Sequence, residues 1–172
     1  MYGLIHWFFP PTGRIKVNTD GSFHPQFTMG SIGDLTRDDQ GRWIEGFCGR
    51  IGYADPLKVE MWAIHHALKL IQERMWNNAI VERDSQLIVQ LLSVVTEENH
   101  PLSIMIKDCK ALLELWKVEL LHTLRERNRC ADKLTKLGAA QPSEAIRMLV
   151  LPLEVIDDLK ADMQSTSFVR GS

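Results

Sequence analysis

The chain has 172 residues, a length that fits one domain with a full hydrophobic core. Hydrophobic residues make up 45% and charged residues 24%, the balance of a globular chain rather than a disordered or fibrous one. A formal net charge of -2 excludes nucleic-acid binding by bulk positive charge, so any such contact must come from a local patch or from metal-bridged phosphates.

The first residues are apolar but carry neither a basic leader nor a small-residue cleavage site, so 1–12 reads as a lead-in rather than a signal peptide. Pro10-Pro11-Thr12-Gly13 breaks the chain before a strand at about 14–20, where Ile15, Val17 and Thr19 alternate with polar residues. Segments at about 31–37 and 42–49 flank Asp38-Asp39-Gln40-Gly41, a hairpin turn signal, and complete an antiparallel meander. From Pro56 to about Arg74 the pattern is helical, with Ala63, Ala67, Leu70 and Ile71 sharing a face with Glu60. Asp55-Pro56 marks its start. A short strand runs from Ala79 toward Asp84. Helices follow at 85–93 and 102–115, a strand at 116–121, and a helix at 128–137 closed by Gly138. The order β-β-β-α-β-α-α-β-α predicts an α/β domain at 13–138 with a five-stranded mixed sheet flanked by helices.

Residues 139–172 form a C-terminal extension. Val155, Ile156, Leu159 and Met163 make an apolar stripe on a short amphipathic helix at 152–163, which should dock on the domain or on a protein partner. Residues 164–172 read as a disordered tail. No apolar run is long enough to span a membrane. Cys48, Cys109 and Cys130 are odd in number and lack metal-ligand spacing, which points to a reducing, intracellular setting.

Four carboxylates stand out by their settings: Asp20 in Val17-Asn18-Thr19-Asp20-Gly21, Glu60 in Glu60-Met61-Trp62-Ala63, Asp84 in Asp84-Ser85-Gln86, and Asp132 in Asn128-Arg129-Cys130-Ala131-Asp132. Singly, each has an ordinary reading. Asp20-Gly21 is a turn pair, Glu60 suits a helix dipole, Asp84 suits a helix N-cap, and Asp132 suits a solvated helix face. Brought together they would repel strongly unless cations sat between them. Hard divalent cations take oxygen ligands, and a carboxylate-held pair can run in-line displacement at phosphorus.

In this order and setting the four motifs, with His122 as a fifth, resemble the type-1 ribonuclease H family over roughly residues 7–138. The likeness is greatest to the reverse-transcriptase-like, retroelement-associated version found in plants. The resemblance implies a ribonuclease H-like fold and a metal-dependent endonuclease that cuts the RNA strand of RNA–DNA hybrids. It implies Asp20, Glu60, Asp84 and Asp132 as ligands of two Mg2+ ions, with Mn2+ as the alternative, and Asp20 bridging both. His122, ten positions before Asp132, would assist proton transfer or product release. Gly21, Ser22, Gln86 and Asn128 match positions at the substrate, where short polar groups read 2′-hydroxyls. The expected products are a 5′-phosphate and a 3′-hydroxyl, and the expected compartment is nuclear or cytoplasmic. Against these stand a strand-end histidine satisfied locally and an Asn128 that merely caps its helix. The tryptophans Trp43, Trp62, Trp76 and Trp116 read as core rather than as base-stacking platforms.

The chain departs from the family pattern at two places. Asp34 stands on the second strand where small or apolar residues are usual, and a buried carboxylate there lacks an obvious partner. Arg83 replaces a small residue before Asp84, where a cation can pair with the acids or compete with a metal. No lysine- and arginine-rich protrusion is present; Lys107 and Lys110 are isolated. Two other readings therefore stand beside the enzyme. One is a domesticated module of the same fold that binds nucleic acid or protein without cutting, and the other is a nuclease for a different nucleic acid.

Overall fold

Alternating side chains and two tight turns build the first half of the sheet. Strand β1 (Lys16–His24), strand β2 (Met29–Arg37) and strand β3 (Trp43–Tyr53) form an antiparallel meander. The computed structural model describes residues 6–95, 97–140 and 145–167. Between β2 and β3 the Asp38 carboxylate accepts from the backbone N–H groups of Gln40 and Arg42, and Gly41 takes a φ of +75°.

Helix α1 (Pro56–Arg74) starts where Asp55 accepts from the Lys58 backbone nitrogen at 2.8 Å, with proline in the first turn. It crosses to strand β4 (Ile80–Arg83), which pairs parallel to β1. Helix α2 (Gln86–Leu91) and helix α3 (Ser103–Leu115) lead to strand β5 (Glu119–His122), parallel to β4. Helix α4 (Arg129–Ala140) follows a 3-10 turn at Arg125–Arg127. Strand β6 (Ala145–Met148) and helix α5 (Leu153–Ser167) complete the described chain.

The sheet has six strands in the order β5-β4-β1-β2-β3-β6, not the expected five. The sixth arises because 145–148 pairs antiparallel with β3 and covers its open edge. The helix expected at 152–163 runs on to Ser167, so part of the expected tail is ordered; 168–172 lie outside the described residues. Gly138 does not close α4 but lies within it. A Cβ there would stand 2.8 Å from the Gly49 nitrogen, and one at Gly33 would collide with the Thr135 backbone nitrogen. Both glycines let α4 lie directly on β2 and β3.

Helices cover both faces. On one, Val17 and Val81 of the sheet pack against Met61, Ile64 and Leu68 of α1 and Ile106 of α3. On the other, Leu35 and Cys48 pack against Ala131 and Leu134 of α4 and Val155 and Leu159 of α5. The α5 stripe is thus docked on the domain. Among the described residues no helix is long and apolar enough to cross a membrane.

The α4 side of the sheet also holds a buried polar network. Lys16 pairs with Glu82 at 2.8 Å, and Asn18 donates to Glu82 at 3.0 Å. Arg37 donates to Asn18 at 2.8 Å and to Asp162 of α5 at 2.6 Å, with its guanidinium 3.6 Å above the Trp7 ring. The Trp7 indole donates to the Asn18 Oδ1 at 2.9 Å. Asp34, expected to lack a partner, is buried but bonded to His66 of α1 at 2.7 Å, because α1 lies across that part of β2. Its other oxygen, Oδ1, has no hydrogen-bond partner.

Candidate active site

A pocket of about 300 Å³ opens at the end of β1, lined by Asp20, Gly21, Ser22, Phe23, Glu60, Asp84, Arg125 and Asp132. All four singled-out acids therefore border one cavity, each delivered by a different element. Asp20 lies in β1, Glu60 early in α1, Asp84 directly after β4, and Asp132 in the first turn of α4. Asp84 is not the N-cap of α2. Ser85 holds that position and makes no side-chain cap bond, which leaves Asp84 on the cavity wall.

Strand alternation sets the direction of Asp20. The Thr19 hydroxyl donates to the Ala63 carbonyl of α1, so Asp20 turns to the other face, beneath α4. The Thr135 hydroxyl of α4 donates to the Asp20 carbonyl oxygen at 3.3 Å. Asp20 is 7% exposed. Burial pushes its carboxyl up to about 6, and the charges of Asp84 and Asp132 push the same way, while Arg83 and a Thr135 hydrogen bond oppose them.

Protein cations already answer two of the acids. Arg83 is fully buried and ion-paired with the Glu60 carboxylate, and it also donates to the Glu60 carbonyl oxygen at 3.1 Å. Burial pulls the Arg83 guanidinium down to about 10, against the fields of Asp20 and Asp84. Asp132 pairs with Lys136 at 2.9 Å and with Arg125 at 3.8 Å. Among the described residues, no three acidic, histidine or cysteine side chains stand together as a ready ligand set. The expected four-carboxylate cluster is thus spread around the pocket, because like charges repel and Arg83 takes Glu60. Asp20, Asp84 and Asp132 still fit a hard cation: their oxygens share one cavity, and Asp84 and Asp132 each make ionisation of Asp20 harder. Glu60, held by Arg83, does not fit as placed.

The other expected residues separate. Gly21 and Ser22 line the pocket. A Cβ at Gly21 would stand 3.0 Å from a Val59 methyl, so α1 packs tightly behind this wall. Gln86 is exposed at the start of α2 and lies outside the lining. His122 is also exposed and outside it, at the end of β5 opposite Arg83 in the strand register. Asn128 is a correction. It is buried, accepts from Asn18 at 3.0 Å and donates to the Thr19 carbonyl at 3.0 Å, so it faces the interior rather than a substrate. Arg125 and Phe23 are lining residues that the sequence reading did not single out. The signal for Arg125 was the Arg125-Glu126-Arg127 run just ahead of the Asn128–Asp132 motif.

A profile of the family described as reverse transcriptase-like matches residues 18–138. A candidate ribonuclease H protein of Arabidopsis thaliana is 35% identical over 132 residues, covering 76% of this chain and 21% of that protein. The chain therefore spans about a fifth of that relative's length. Among solved structures, ribonuclease H1 of the halophilic archaeon Halobacterium salinarum superposes with a TM-score of 0.67 at 22% identity, covering 74% of this chain and 98% of that one. LC11 ribonuclease H1 in complex with an RNA/DNA hybrid gives 0.64 at 23% identity, covering 72% and 95%. At these identities the two structures establish a common fold.

Proposed function

Because the chain belongs to the reverse transcriptase-like family and carries a ribonuclease H-like fold, we propose that it is a divalent-cation-dependent nuclease for the RNA strand of RNA–DNA hybrids. The observation that carries this reading is the single pocket bordered by Asp20, Glu60, Asp84 and Asp132. Asp20, Asp84 and Asp132 would hold the cation. When bound, a divalent cation supplies Lewis acidity at phosphoryl oxygens and a lowered pKa for water.

The chain's own residues do the rest. Gly21 presents its backbone to the pocket, and its missing side chain makes room for Val59 of α1 behind it. Ser22 offers a hydroxyl that can donate to or accept from a ribose 2′-hydroxyl. Arg125, exposed on the pocket wall, offers a cation to a phosphate. His122, exposed at the end of β5 and outside the pocket lining, would pass protons between the reaction and solvent. Selectivity would follow helix shape and 2′-hydroxyls rather than base sequence.

The test compares a labelled RNA–DNA hybrid, a DNA duplex and an RNA duplex in magnesium and in manganese, with wild type and Asp84→Asn. Cleavage of the hybrid alone, dependent on the cation, absent in the variant and lost when the scissile ribose is made deoxyribose, supports the reading. Equal cutting of the DNA duplex, or equal activity in the variant, refutes it. The Arg83–Glu60 pair favours one second reading, a module that binds hybrids without cutting. Binding of hybrid with no cleavage in either metal would establish it.

A further inference from the structure

Arg83 is the last residue of β4 and stands directly before Asp84. Its neighbour Glu82 turns to the α4 face, where it meets Lys16 and Asn18. Strand alternation therefore sends Arg83 to the opposite face, beneath the start of α1. There its side chain is 0% exposed and engages Glu60 twice, at the carboxylate and at the backbone carbonyl. Its Nε makes no hydrogen bond, and its Nη2 meets the Glu60 Oε2 as an ion pair without hydrogen-bond geometry. A guanidinium buried with an unmatched donor is costly unless nearby negative charge offsets it. Glu60, Asp20 and Asp84 are that charge.

The cations on Asp132 differ in kind. The side chains of Lys136 and Arg125 are 70% and 75% exposed, so either can swing into solvent when another cation approaches. Arg83 has no such freedom. It answers Glu60 from within the fold. A second divalent cation beside Glu60 would meet the guanidinium at close range and be repelled.

Granting the metal-dependent reading above, we infer that Arg83 is a tethered cation of this site: it satisfies Glu60 from inside the protein, so that one divalent cation binds, through Asp20, Asp84 and Asp132, where the family resemblance implies two. Glu60 then anchors Arg83 instead of holding a metal. The trade replaces an exchangeable charge with a fixed one and makes the wild-type site a single-ion site.

Titration of the full chain with Mn2+ at pH 8, read by calorimetry and by the free-ion electron paramagnetic resonance signal, tests this without any turnover measurement. Wild type should bind one ion. Glu60→Gln should keep one ion, with a smaller loss of affinity from the bared Arg83 charge, whereas Asp84→Asn removes a ligand and should weaken binding by about tenfold or more. Arg83→Met keeps an unbranched side chain of similar length, releases Glu60, and should admit a second ion. Two ions bound by wild type, or a loss in Glu60→Gln equal to that in Asp84→Asn, overturns the inference, and neither readout requires the Arg83 variant to fold. One ion that depends on Asp84 but a folded Arg83→Met that still binds only one overturns the role of Arg83 alone. No Mn2+ bound by wild type overturns both this role and the metal-dependent reading.

Discussion

Replacing Asp20 with asparagine should make the protein more stable, and only at high pH. The Asp20 carboxyl is pushed up to about 6 from 3.8, first by burial and then by Asp84 and Asp132. A carboxyl raised in the folded state favours folding when protonated. Its contribution is full below pH 3.8 and is lost as the pH rises through about 6. The interval corresponds to about 3 kcal/mol of strain from the ionised group at pH 8 in the presence of a chelator. Asparagine keeps the shape and drops the charge, so Asp20→Asn should gain up to about 3 kcal/mol, or roughly 6–12 °C in Tm for a chain of this size. Urea unfolding in chelator at pH 8 measures the gain. At pH 4 the same comparison should show it shrinking toward zero. Magnesium should then stabilise wild type more than the variant, which lacks one of the three carboxylates proposed to hold it. A variant less stable than wild type at pH 8, or a gain that does not change with pH, would refute the claim that burial and neighbouring acids dominate at Asp20.

Other perturbations test the scaffold and the proton path. Asp162→Ala leaves Arg37 buried without its carboxylate and should cost about 3–5 kcal/mol in urea unfolding, whereas Arg37→Met combined with Asp162→Leu should cost far less. Gly33→Ala drives a methyl into the Thr135 backbone and should cost about 1–3 kcal/mol or more by thermal unfolding. His122→Ala should slow hybrid cleavage by about 10²–10⁴-fold with an unchanged circular dichroism spectrum, because an exposed strand-end side chain contributes little to folding.

Local signals made much of the fold readable. The Asp55-Pro56 start, the turn at Asp38–Gly41 and the helical spacing of α1 all act within a few residues, and the element order from β1 to α4 follows from them. The missed features depend on partners distant in sequence. Strand β6 is four residues of mixed polarity that become a strand only by pairing with the edge of β3. Gly138 reads as a helix end from sequence, yet its role is set by Gly49 and Ile32 across the sheet. The burial of Lys16 and Asn18, the polar members of the β1 alternation, likewise depends on distant segments, because the lead-in at Trp7 and helix α5 close over them. The acids could be found by motif, and Arg83 beside Asp84 read as a cation that could pair with them or compete with a metal. Only the crossing of α1 shows which acid it meets, Glu60, 23 residues away.

The buried network explains why the acids can be held apart and still aimed at one cavity. Asn128 bonds the Thr19 carbonyl next to Asp20, and its own carbonyl accepts the Asp132 backbone N–H at 3.1 Å. One side chain thus ties the segments carrying two of the aspartates to each other. Asn18 bonds Asn128, Arg37 bonds Asn18, and Asp162 of α5 bonds Arg37. Each link is buried and oriented by the next, so position is transmitted by hydrogen bonds in a low-dielectric interior, where leaving one unmade is costly. Glu60 reaches the same pocket from the other face of the sheet, through α1, with Arg83 buried behind it at the end of β4. The cavity sits where the two systems meet at the strand ends. There Asn128 ties the segments that carry Asp20 and Asp132, surface cations answer Asp132, and a buried guanidinium answers Glu60.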